Sequence, residues 1–270
     1  AMAAESYARI KFKPAILNVT AGPGGINAIN GVFGAYVDSL PMIIVSGQAK
    51  TSTMVSSYDD HNLRQLGDQE VDIVSMVKKI TKFSTVVTDP LSISDLIDKC
   101  FKIATTGRMG PVWIDVPIDI QAMILPREFT SYLNKDINPR LTQDDPFISD
   151  AQVNQLAKKI LLSERPTLYV GGGVRLSESH KEFIDFLSEW PISTVTGWNN
   201  NDLLSDEHYC YTGRPGSVGN RAGNFSVQFS DCVLIVGCRL NIRQLSFNWE
   251  SFARNALTCH VDIDDSELTP

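Results

Sequence analysis

The chain has 270 residues, 43% hydrophobic and 20% charged, a globular composition long enough for two domains of ordinary size. Its 24 Lys and Arg stand against 31 Asp and Glu, a net charge of −7 with no basic cluster, which excludes nucleic acid as a partner. No apolar window is long enough for a membrane span and the opening Ala1–Arg9 has no signal-peptide pattern, so the reading is a cytoplasmic protein with no membrane partner.

Residues 1–10 read as the tail of a helix, with Met2, Tyr7 and Ile10 on one face. The branched run Ile16–Val19 reads as a strand buried on both faces. A turn, Gly22-Pro23-Gly24-Gly25-Ile26-Asn27, then opens a helix whose Ile26, Ile29, Phe33, Tyr36, Val37 and Leu40 recur as one buried stripe. Pro41 stops it and Met42–Val45 is the second strand of a βαβ unit. One reading of the turn is a phosphate cradle. Its spelling favours another: Asn27 stands where a dinucleotide fingerprint has its third glycine, no Lys-Ser/Thr follows, and Pro23 lacks a donor. The favoured turn brings backbone and Asn27 close to a flat ligand.

Polar residues Ala49–Gln69 show no period and read as a functional loop or lid. Helical spacing over 71–80, a strand over 83–87, a helix over 91–105 with Cys100 in its core stripe, and a buried strand Gly110–Pro117 follow. A Pro-, Asn- and Asp-rich linker covers 125–148, after which Ser149-Asp150 caps a helix over 151–162. Strand Thr167–Val170 runs into Gly171-Gly172-Gly173, repeating the strand-to-glycine design. Next come a helix over 178–189, a strand over 192–196, a polar loop over 199–218, a helix over 222–228, and strands over 232–237 and 258–262. The fold class is therefore α/β, two doubly wound domains at 1–124 and 149–270, each with a mostly parallel sheet flanked by helices. Five cysteines with no CxxC pair read as reduced thiols, and His61, His180, His208 and His260 lack ligand spacing, so no protein-only metal site is assigned.

Tyr7-Ala-Arg, Thr20-Ala-Gly-Pro-Gly-Gly-Ile-Asn27, Ala35-Tyr-Val-Asp-Ser-Leu-Pro41, Ser46-Gly-Gln48, Asp68-Gln-Glu-Val-Asp-Ile-Val74 and Gly107–Pro117 together resemble the pyrimidine-binding domain of thiamine diphosphate-dependent enzymes. The type they are most similar to is the acetolactate synthase large subunit. Tyr169-Val-Gly-Gly-Gly173, Val236-Gly-Cys-Arg239 and His260-Val-Asp-Ile-Asp264 resemble the central domain of the same enzymes. The resemblance implies decarboxylation of pyruvate, a 2-oxo acid, and transfer of the acetyl equivalent to a carbonyl acceptor. Gly22, Pro23, Gly24 and Asn27 would then approach the aminopyrimidine of the cofactor, with Gln48 supporting the same wall and Gln69 facing the substrate. Two alternatives stay open: Gln48 satisfies loop backbone, and Gln69 caps the helix beginning near Val71.

The activating glutamate of that family falls upstream of Ala1, so no catalytic residue is assigned within the chain; Glu5 is out of register and reads as a surface charge. The family's third domain, whose Gly-Asp-Gly motif and Asn hold Mg2+ and the diphosphate, has no counterpart after Asp264. The expectation is a fragment, the first two-thirds of a subunit, inactive alone and part of a homodimer or homotetramer when full length. Asp68 and Ile118 replace the family's Phe and Lys, which implies a keto-sugar acceptor as one alternative; a non-catalytic nucleotide-binding or assembly module is the other. The central domain implies FAD, with Gly171, Gly172 and Gly173 at the ligand, Arg239 on phosphate, and Asp262 or Asp264 on the adenosine portion. Gly213-Arg-Pro-Gly216 and Leu240-Asn-Ile-Arg243 depart there from the family's Gly-Met-His-Gly and Phe-Asp-Asp-Arg.

Overall fold

The computed structural model describes residues 1–58, 62–126 and 147–268, and His61 and most of the predicted linker lie outside them. Two compact units divide the chain, Ala1–Asp145 and Pro146–Pro270.

In the first unit, helix α1 (Met2–Lys11) leads to β1 (Ala15–Val19), α2 (Pro23–Val37), β2 (Met42–Gln48), α3 (Ile73–Val77), β3 (Phe83–Val86), α4 (Ile93–Thr105), β4 (Pro111–Pro117) and the short α5 (Ile118–Gln121). The four strands lie parallel in the order β1-β2-β4-β3. The central strands β2 and β4 are buried almost throughout, as both faces are covered. On one face Ile43, Val112 and Ile114 pack against Cys100 and Ala104 of α4. On the other, α2 sits so close that a Cβ at Gly25 would lie 3.3 Å from Ile73 and 3.5 Å from Trp113.

Two expectations fail here. Among the described residues strand β1 is at the edge, paired only with β2, and its burial alternates, leaving Ile16 64% exposed rather than covered on both faces. Helix α2 buries Gly25, Ala28, Gly31, Val32 and Ala35, while Ile26, Phe33 and Tyr36 of the expected buried stripe are exposed. The small residues are inside because α1 crosses directly over them: a Cβ at Gly31 would stand 2.7 Å from Ala1 Cβ, and one at Gly34 2.9 Å from the Glu5 carboxylate. Periodicity identified the helix but not its buried face.

The second unit comprises α6 (Asp150–Leu161), β5 (Pro166–Val170), α7 (Gly173–Leu176), α8 (His180–Glu189), β6 (Ser193–Thr196), β7 (Tyr211–Gly213), α9 (Arg221–Phe229), β8 (Cys232–Val236), α10 (Ile242–Leu245) and β9 (Leu257–Val261). Its five parallel strands are ordered β7-β6-β5-β8-β9. Ser149 caps α6, as predicted, and the structure adds a reciprocal bond from Gln152. Alternation along β5 splits the core: Leu168 and Val170 join Phe183 and Leu187 of α8, whereas Tyr169 joins Val227 of α9 with Val233 and Ile235. Helices thus cover both faces. Strand β7 lies inside the predicted loop 199–218; three residues with a register break opposite Thr194 and Val195 carry too little alternation to be read.

Candidate functional site

Parallel strands bring all their carboxyl ends to one edge, where ligands of open α/β sheets bind. In the first unit that edge carries Gly22 after β1, Gln48 ending β2 and Ile118 after β4, with Gln48 in register with Pro117. Gly22 has φ +57°, and a Cβ on it would fall 2.3 Å from the Gln69 carbonyl oxygen. The residue must be glycine because the Gln69 segment lies directly on the turn; Gln69 itself sits at φ +55°. Pro23 takes the first helical position of α2, where no N–H is needed. Gly24 approaches Thr20, and a Cβ at Gly47 would be in ordinary contact with Gln121 Nε2 at 3.6 Å and Ala21 N at 3.7 Å. The side chains of Pro23, Asn27, Asp68 and Gln69 are exposed, and Ile118 is 55% exposed.

Behind this edge lies a buried polar network that the sequence reading missed. The Ser46 hydroxyl donates to Asp115 Oδ1 at 2.5 Å and accepts from Trp113 Nε1 at 2.7 Å. Gln48 Nε2 donates to Asp115 Oδ2 at 2.7 Å and to the Val71 carbonyl at 2.9 Å, and its Oε1 accepts from the Ala49 N–H at 2.9 Å. Asp115 is 1% exposed, and burial pushes its pKa up to about 6 against the restraining hydrogen bonds from Ser46 and Gln48, with Asp72 adding a smaller upward push. The available signal was a lone carboxylate in the apolar run Pro111–Pro117, since a buried charge persists only with partners. Gln48, 5% exposed, therefore does satisfy loop backbone, and holds Asp115 as well. Gln69 does not cap the following helix: Asp72 does, accepting from Ser75 N at 3.0 Å.

Two further carboxylates shape the loop that carries Asp68 and Gln69. Glu70 accepts the backbone N–H groups of Val55, Leu66 and Gly67 at 2.6, 3.2 and 3.0 Å. Asp119 accepts from the Thr51 hydroxyl and, at 3.0 Å, from its amide, and these bonds hold its pKa below the usual carboxylate value. Two short 3-10 turns, Thr51–Thr53 and Val55–Ser57, give regular structure to a stretch expected to have none. Glu5, read as a surface charge, is half-buried where α1 crosses Gly34 of α2, and pairs with Arg9 at 2.7 Å.

At the matching edge of the second unit, Gly171 and Gly173 follow β5, and Gly237 follows β8. A Cβ at Gly171 would be 2.2 Å from the Gly237 carbonyl oxygen and 2.4 Å from Cys238 Cα; one at Gly173 would be 2.6 Å from Gly237 Cα. These two glycines are required by backbone packing. Gly172 meets only the Asn200 amide, at 3.1 Å. Gln244 Oε1 accepts from Tyr169 at 2.6 Å and from Cys238 at 3.2 Å, while its Nε2 donates to the Arg239 carbonyl at 2.9 Å. Burial pushes the Cys238 thiol up to about 12 and raises the Tyr169 phenol too, so neither is a nucleophile or base at neutral pH.

Asp262 accepts from Asp264 N at 3.1 Å and lies 3.9 Å from His260 Nε2; Asp264 caps the turn Asp265–Glu267. The sequence reading also missed the indole of Trp198, which has the Arg214 and Arg243 guanidiniums over its ring at 5.9 and 5.7 Å. Beside Gly216 and Gln244 a cavity of about 260 Å³ includes Gln228, whose Oε1 is buried without a hydrogen-bond partner. Among the described residues no group of three or more His, Cys, Asp or Glu is placed to hold a metal, and no helix is long and apolar enough to cross a membrane.

Residues 1–76 match the model of the thiamine pyrophosphate enzyme N-terminal TPP binding domain, and residues 153–269 that of the thiamine pyrophosphate enzyme central domain. The chain is 29% identical to the acetolactate synthase large subunit of Lactococcus lactis, over 98% of its own length and 44% of that protein. It is 33% identical to acetolactate synthase 3, chloroplastic, of Brassica napus over 98% of this chain and 39% of the other, and 29% identical to the isozyme 2 large subunit of Escherichia coli over 99% and 46%. The chain thus spans less than half the length of these curated relatives. Both matched domains are parts of one kind of enzyme, and the chain belongs to the thiamine pyrophosphate enzyme family, whose N-terminal TPP binding domain and central domain it carries.

Proposed function

We propose that this chain is part of a thiamine diphosphate-dependent enzyme of the acetolactate synthase type, which decarboxylates a 2-oxo acid and transfers the acetyl equivalent to a carbonyl acceptor. The observation that carries the reading is the colinear match to acetolactate synthase large subunits over 98% of the chain. The edge of the first unit fits the cofactor's flat pyrimidine: Gly22 admits the Gln69 segment onto the turn, and Pro23 and Asn27 beside it are exposed. In this reading Gly22, Pro23, Gly24 and Asn27 hold that ring, Gln48 fixes the wall from behind, and Gln69, Asp68 and Ile118 face the substrate. Bound thiamine diphosphate supplies the electron sink for loss of carbon dioxide. The chain's own residues bind and orient; the acid that activates the cofactor and the Mg2+ ligands are not assigned among them.

The second unit fits a flavin dinucleotide, and FAD is the finer part of the proposal. Two guanidiniums flank an indole, Gly172 leaves its backbone approachable, and the orphaned Gln228 oxygen awaits a donor. Arg239, Arg214 and Arg243 would meet phosphates and Asp262 the adenosine portion, whereas the Asp264 carboxylate serves its own turn. A cytoplasmic homo-oligomer belongs to the same reading; the exposed Met2 and Ile10 of α1 and Ile26, Phe33 and Tyr36 of α2 support the oligomer.

The test is an assay of the intact gene product with pyruvate, thiamine diphosphate and Mg2+. Formation of acetolactate supports the reading; a protein that binds the cofactor yet consumes no 2-oxo acid with any carbonyl acceptor overturns it. A colourless protein that releases no flavin on denaturation overturns the FAD assignment alone.

A further inference from the structure

Asp115 is buried beneath the edge proposed to meet cofactor and substrate, and reaches it through Gln48. It occupies β4 in register with Ser46 of β2. Ser46 and Gln48, two residues apart on the same strand face, both donate to its carboxylate. An ionised carboxylate only accepts, so it dictates which end of the Gln48 amide points inward. With Nε2 turned inward, its second hydrogen reaches the Val71 carbonyl, and Oε1 is left for Ala49 N. Val71 is two residues beyond Gln69, whose own carbonyl lies on Gly22.

We propose that Asp115 is a positioning residue: through Gln48 and Val71 it holds the Gln69 segment on the Gly22 turn and so sets the shape of the cofactor and substrate wall. This rests on the reading of that edge as the thiamine site. The case for a role beyond packing is that a carboxylate at 1% exposure in an apolar strand is costly where a nonpolar residue would fill the same space. Burial raises its pKa in the direction that cost requires. In return the carboxylate supplies direction: the Trp113 indole orients Ser46, and the three side chains Ser46, Gln48 and Asp115 have one hydrogen-bond arrangement that leaves Val71 and Ala49 satisfied.

The experiment is a double-mutant cycle in the full-length enzyme with Asp115→Asn and Gln48→Met, reading thiamine diphosphate Kd by calorimetry, KM and kcat with pyruvate, and Tm. Each single variant is expected to raise Kd and KM about tenfold, the value of one directional hydrogen bond, with kcat changed much less. The double variant should be no worse than the poorer single one, because both act through one path. Folded variants whose Kd and KM stay at the wild-type value, or whose effects add, overturn the proposal, since a purely structural role lowers Tm without this split. If Asp115→Asn does not fold, Gln48→Met alone, folded and with wild-type Kd, is equally fatal. A wild-type protein that binds thiamine diphosphate but turns over no 2-oxo acid defeats the proposed reaction, while the Kd cycle still decides the role of Asp115. A wild-type protein that does not bind the cofactor defeats both.

Discussion

In the first unit the glycine turn after β1 is pressed by a polar loop, through Gln69, whereas in the second the turn after β5 is pressed by another turn, through Gly237 and Cys238. Both follow a parallel strand at the carboxyl edge of a sheet and both are spelled with successive glycines. Their supports differ. The first edge is backed by a buried carboxylate with two side-chain donors, the second by a neutral trio of Tyr169, Gln244 and Cys238. A glycine-rich turn therefore reports close approach, and only the neighbour decides whether that approach is to a loop, to a second turn or to a ligand.

The sharpest break in the comparison is Gly171→Ala. The new Cβ would lie within 2.4 Å of backbone atoms that no rotamer change can move, so destabilisation of about 3 kcal/mol is expected by denaturant unfolding. Next is the charge contrast. Asp115 titrates near 3.8 ordinarily and near 6 when folded, so between these values the folded protein binds the extra proton and stability falls as pH rises. The fall between pH 4 and pH 6 should be about 2 kcal/mol and be missing in Asp115→Asn, as read from unfolding of both proteins at those two pH values.

Gly22→Ala follows. A positive φ and a carbonyl at 2.3 Å should cost about 2 kcal/mol, but with a loop rather than a second turn in the way, the variant should fold and lose thiamine diphosphate affinity. Calorimetric titration of the full-length enzyme checks this, and unchanged affinity in a folded variant would count against the turn as cofactor wall. The smallest effect belongs to Gly172→Ala: φ is −61° and only the end of a side chain, Asn200, must yield, so stability should change by less than about 0.5 kcal/mol. Any loss of flavin in that variant would then come from the ligand and not from the fold.

Much of the architecture was legible. Alternating strand and helix patterns located most of the elements, Ser149 announced its own cap, and Cys100 was placed in the core where it is found. The site was legible in part: Gly22, Gln48 and Gln69 are brought together, but Asp115, Trp198 and Arg214 were not singled out. Local pattern could not reveal them, because their partners are distant in sequence; Asp115 reaches Gln48 across 67 positions and Ser46 across 69.

By itself the sequence determined the α/β alternation, the turns and the family, because strand and helix periods, caps and glycine spacing are properties of neighbouring residues. Tertiary structure alone decided that β1 is an edge, that α2 turns its glycines and alanines inward and its large residues out, and that Gln48 faces a carboxylate. Period identifies which residues share a face; which face is covered depends on what the rest of the chain packs against it.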